Sequence, residues 1–84
     1  MLRPPDPEAV AEEQRRLDRL RRTVDVTCAV LSQATLTLRE AERLVAAARR
    51  EAVALFPDKA SVFDLVIAPR LARILRERWP ALSD

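Results

Sequence analysis

An all-α fold is predicted for this chain by three features: residues that break helices are scarce, apolar residues recur at helical spacing, and helix-start signals stand where the spacing changes. Glycine is absent from all 84 residues, although average usage of roughly 7% would supply about six. Its absence excludes Gly-rich phosphate loops and Gly-based hairpin turns. Alanine, leucine, arginine and glutamate, all good helix formers, dominate instead. With 49% apolar and 33% charged residues the composition is that of a folded domain rather than a disordered tail.

The chain divides into an extended Pro-rich lead, residues 1–6, and one helical domain, residues 7–84. Pro4, Pro5 and Pro7 fix their own φ and push their predecessors away from helical angles, so the lead reads as an entry to the first helix. The minimal P-x-x-P it contains is short for a polyproline ligand. Asp6-Pro7-Glu8 is a helix start: a side-chain acceptor at the N-cap, proline in the first turn, then a negative charge near the positive end of the helix dipole.

From there Val10, Leu17, Val24 and Leu31 recur at heptad spacing, with Leu20, Thr27 and Ala34 in the alternate slot. A long first helix over 7–33 is expected. The alternation of Val24, Val26, Cys28 and Val30 within the β-branched stretch 23–38 offers a strand as the competing reading. Helix is preferred because no Gly, Asn or Pro punctuates that stretch and a lone hairpin is marginal in so small a chain.

Thr37-Leu38-Arg39-Glu40 matches the capping box, so a second helix is expected over 38–56, stopped by Pro57. Its Ala46-Ala47-Ala48 run makes a broad, slim apolar arc that allows close approach of neighbours. Asp58 or Ser61 caps a third segment, 61–68, whose only charge is Asp64. Pro69 removes an amide and is expected to kink or restart the helix, leaving a last segment over 69–79. The architecture expected is a long antiparallel helical hairpin plus a short Pro-kinked C-terminal helix. At 1.5 Å per residue the first helix is about 40 Å long and the second about 30 Å. The apolar overhang this leaves suggests pairing of two hairpins into a helical-bundle homodimer.

The residues give no pattern for catalysis. Histidine is absent, which removes the commonest general base and metal ligand. Glu12 with Glu13, and Glu40 with Glu42, diverge around a helix, and nothing draws Asp58, Asp64 and Glu77 together. Cys28 has no local base to activate it and reads as a small core residue. No enzyme, cofactor or metal site is expected. The lone cysteine and the lack of an apolar leader point to the cytoplasm. The longest uncharged run, Val26 to Leu38, has thirteen residues, short of the roughly 20 that span a bilayer.

The function expected is a non-catalytic protein-protein interaction module, adaptor or regulatory, acting as a homo-oligomer with itself and another protein as partners. Val10, Leu17, Leu20, Val24 and Leu31 form the expected seam, with Phe63 and Trp79 as anchors. The alternative is a small nucleic-acid-binding protein using two arginine clusters. One spans residues 15–22, where Arg15, Arg19 and Arg22 share a face; the other spans 70–78, with Arg70, Arg73 and Arg76. The second cluster also suits an anionic membrane surface, a third and weaker reading. Against nucleic acid stand the net charge of only +2 and, in the first cluster, the absence of interleaved aromatics and acids at pairing distance, with Glu12 four residues from Arg16 and Asp18 four from Arg22.

Overall fold

A computed structural model describes residues 3–4 and 6–80; the remainder of the expected lead, and residues 81–84 of the expected domain, lie outside the described residues. Every regular element among them is helical. The first helix, α1, spans Pro7–Gln33 and the second, α2, spans Leu38–Leu55. A 3₁₀ turn at Pro57–Lys59 leads into a C-terminal arm built from α3 (Ala60–Val62), a π-turn (Phe63–Ile67) and α4 (Ala68–Arg78).

The ends of the helices follow from local chemistry. The Glu8 amide donates to Asp6 Oδ1 at 3.0 Å. At α2 the capping box closes in both directions: the Glu40 amide donates to Thr37 Oγ1 at 3.1 Å and the Thr37 amide to Glu40 Oε1 at 3.0 Å. The stretch considered as a strand is helical through Gln33. Its buried Thr27 hydroxyl donates to the Thr23 carbonyl at 2.7 Å, which satisfies a polar group that burial removes from water.

With no glycine available, neither hairpin helix ends in the left-handed residue that commonly closes a C-terminus. The C-caps Ala34 and Phe56 have negative φ instead, and their amides donate back to Val30 and Ala52. The unpaired carbonyls at the end of α1 find a donor elsewhere in the chain. Arg78, at the end of α4, donates from Nη1 to the Leu31 carbonyl at 2.5 Å and to the Ala34 carbonyl at 2.8 Å. A cation placed against the negative end of the α1 dipole joins the two helices through the backbone.

At Pro69, where the sequence predicts a kink or a restart, the structure places a π-turn followed by the start of α4 at Ala68. The helix widens just before the proline: the Ala68 amide reaches the Phe63 carbonyl, five residues back. In a regular α-helix the Pro69 ring would collide with the Leu65 carbonyl, and a π-turn at this place relieves that clash without ending the helix.

α2 runs back along α1. Arg19 Nε meets Glu51 Oε1 at 2.7 Å and the Arg16 guanidinium lies 5.7 Å from the centre of the Phe56 ring. The arm then packs across both. Leu31, Phe63 and Leu71 meet the alanine face of α2, where Ala41, Ala48 and Ala52 are buried. Methyl side chains there let the larger residues of the other two elements approach the α2 backbone. Arg49 binds Asp64 through two parallel bonds, 2.8 and 3.0 Å, and ties α2 to the π-turn. Because α2 ends opposite Arg16, the first turns of α1 project beyond it, and the molecule is elongated at 57 × 23 × 16 Å.

Two substitutions test this account by urea unfolding. Leu71→Ala should cost about 2–5 kcal/mol, because it opens a cavity where the arm meets α2. Arg78→Ala should cost on the order of 2 kcal/mol, by leaving two helix-end carbonyls without their charged donor. The neighbouring exposed change Arg76→Ala should stay within about 0.5 kcal/mol; equal effects of the two arginine variants would remove Arg78 from its bridging role.

Candidate interaction surface

The heptad stripe of α1 is divided between interior and surface. Val24 and Leu31 are buried inside the chain and Leu20 is half-buried against the core, whereas Val10 and Leu17 stay exposed. Phe63 is buried as well, and Trp79 is half-buried against the core beneath the Arg78 guanidinium, 4.8 Å from its ring centre. Val24, Leu31 and Phe63 are therefore not at an outer seam. The pattern that brings helices together is the same within a chain as between chains, and α2 and the arm occupy it here.

Exposed large apolar residues stand both on α1, at Val10, Leu17 and Val26, and on the outside of the C-terminal arm. Val62, Leu65 and Val66 are 51, 77 and 59% exposed, close together at the π-turn. The sequence held a signal for this: segment 61–68 has a single charge, Asp64, and so has more apolar residues than one buried face can use. Beside this ridge a groove of about 220 Å³ opens between α1, the end of α2 and the arm. Leu17, Leu20, Phe56, Val62 and Ile67 line it, and Lys59 stands at its edge with its Nζ 6.0 Å from the centre of the Phe56 ring.

Half of the arginines considered for a polyanion are held within the chain. Arg15 pairs with Glu12 at 2.8 Å, Arg19 with Glu51 at 2.7 Å and Arg73 with Glu77 at 3.1 Å. Arg22, Arg70 and Arg76 form no ion pair among the described residues. The expected contact of Glu12 with Arg16 is present at 3.6 Å, while Asp18 accepts from the Gln14 amide rather than pairing with Arg22. A shallow depression beside them mixes Asp18 and Asp25 with Arg21 and Arg22, so its charges alternate in sign.

The carboxylates are likewise engaged in structure. Hydrogen bonding to Arg15 holds Glu12 below the usual glutamate range, the Thr37 amide does the same for Glu40, and Arg49 lowers Asp64 while Asp64 raises Arg49. Cys28 is half-buried and packs against the core. No group of three potential metal-binding side chains occurs among the described residues, and no helix among them is long and apolar enough to cross a membrane. Comparison with protein-family models, with curated proteins and with solved structures found no match. The side chains themselves are therefore the ground for a functional reading.

These carboxylate contacts carry a pH dependence of defined sign. Glu12, Glu40 and Asp64 are lowered in the folded state, so their stabilisation is complete above the ordinary values of 4.5 for glutamate and 3.8 for aspartate. It is lost as pH falls through the lower folded values. The urea midpoint should hold steady from neutral pH to the ordinary carboxylate range and then decline. In a Glu40→Gln, Asp64→Asn double variant the decline should be shallower; an identical profile would show that these contacts do not stabilise the fold.

Proposed function

We propose that this chain is a small non-catalytic interaction module, adaptor or regulatory in kind, that works in the cytoplasm as a homo-oligomer and presents a helical surface to another protein. The observation that carries this reading is the set of large aliphatic side chains left outside after the core is complete. Scattered exposed apolar residues need no explanation. Val62, Leu65 and Val66 are not scattered: they stand within five residues of one another at the π-turn, next to an apolar groove. Several charged side chains meanwhile serve packing and capping. Arg19, Arg49 and Arg78 link separate elements and Glu40 closes a helix start.

The nucleic-acid alternative would rest on Arg22, Arg70 and Arg76, with Trp79 half-buried against the core beneath Arg78. Two measurements separate the readings. Light scattering over a concentration series should give a mass that is a multiple of 9.5 kDa; a single-chain mass throughout would remove homo-oligomerisation. Anisotropy of a labelled DNA duplex and a labelled RNA strand at physiological salt should show no binding. Salt-dependent binding abolished by Arg22→Glu, Arg70→Glu and Arg76→Glu together would replace the interaction module with the polyanion reading.

A further inference from the structure

The groove beside the arm is apolar throughout except at one place. Leu17 and Leu20 of α1 form one wall and Val62 and Ile67 of the arm the other, and Lys59 is the one lining residue with a polar side chain. Ala52 and Phe63, both buried, close the inner side. Ala52 contributes only a methyl group there, which leaves space that a longer side chain would fill.

Lys59 is also a cation without a partner. Two cations lie against the Phe56 ring, the Arg16 guanidinium at 5.7 Å and Lys59 Nζ at 6.0 Å from its centre. Arg16 is held by Glu12 at 3.6 Å, and Arg19, one helical turn along α1, by Glu51 at 2.7 Å. Lys59 forms no ion pair among the described residues. Its ammonium group is a compact charge on a flexible stem that can follow a ligand's head group, while the stem itself extends the apolar wall.

We propose that this groove binds a medium-chain carboxylate, with the chain laid along Leu17, Leu20 and Phe56 and the carboxylate on Lys59 Nζ. The chemistry of the lining selects this class. A ligand with a polar body would lose hydrogen bonds to water that no other lining side chain replaces. A cationic head group would meet Lys59 as a like charge. The volume sets the length: 220 Å³ holds about seven water-sized groups of roughly 30 Å³ each, which suits a chain of about eight carbons. The site goes beyond the interaction module proposed above and does not depend on it. Because Val62 both lines the groove and is exposed beside Leu65 and Val66, a bound chain lies next to the surface offered to a partner.

The test titrates the isotopically labelled full chain with hexanoate, octanoate and octylammonium, each below its micelle concentration, and follows the amide shifts. Octanoate should saturate a single site and move the amides of Leu17, Lys59, Val62 and Ile67. Hexanoate should bind about tenfold more weakly for the two methylene groups it lacks. Octylammonium, and octanoate with the Lys59→Gln variant, should each bind about threefold more weakly than octanoate with the wild type. Leu17→Asp places a charge in the wall and should abolish octanoate binding, whereas Leu65→Asp, outside the groove, should leave it unchanged. Leu17 and Leu65 are both exposed, so helical circular dichroism should be the same in all variants. Octanoate that fails to saturate, or that octylammonium matches in affinity, would overturn the proposal. So would binding that survives Leu17→Asp and is lost in Leu65→Asp, which would put the chain on the outer ridge instead.

Discussion

Leu31 is where the three parts of the molecule are joined. Its side chain is fully buried at the meeting of α1, α2 and the arm, and its carbonyl accepts the Arg78 guanidinium. Apolar packing and a charge-assisted hydrogen bond thus act on one residue from opposite ends of the sequence. The need for that donor follows from composition. A helix end leaves carbonyls without partners, glycine is the usual means of closing it, and this chain has none. Once Arg78 supplies the donor, the end of α4 is held at the end of α1, and the arm must cross the hairpin in one direction.

The alanine face of α2 sets how much apolar surface the core can use. Ala41, Ala48 and Ala52 contribute little volume, so the fully buried large residues are few, chiefly Leu31 and Leu71. A slim central helix brings the other elements close but leaves no room for a second stripe of the arm. The π-turn before Pro69 keeps Phe63 and Leu71 directed inward through a stretch where a plain helix would clash. Leu65 and Val66 are consequently outside, where their apolar surface is available to a partner.

The arginine-rich composition has a structural explanation for much of its extent. Arg19, Arg49 and Arg78 connect elements that are distant in sequence, and Arg15 and Arg73 pair within their own helices. The planar, always-charged guanidinium suits both the bidentate Asp64 contact and the capping of helix carbonyls. A chain rich in arginine yet nearly balanced in charge is what such cross-links require. The same balance favours association through apolar contact over association with a polyanion.

Much of the fold was legible in the sequence because its signals are local. Asp6-Pro7-Glu8 and the capping box at Thr37 act over one helical turn, and the starts at Pro7 and Leu38 follow from them. Heptad spacing identified which residues of α1 seek apolar contact, since periodicity is a property of the helix itself. It did not identify the partner: Val24 and Leu31 are covered by the same chain, while Leu17 remains exposed, and that division depends on where α2 ends. The ion pairs Arg19 with Glu51 and Arg49 with Asp64, the cap Arg78 makes on α1, and the π-turn before Pro69 belong to the tertiary structure alone. Each joins residues, or settles a clash, whose outcome depends on the relative placement of whole helices, a quantity that no local spacing encodes.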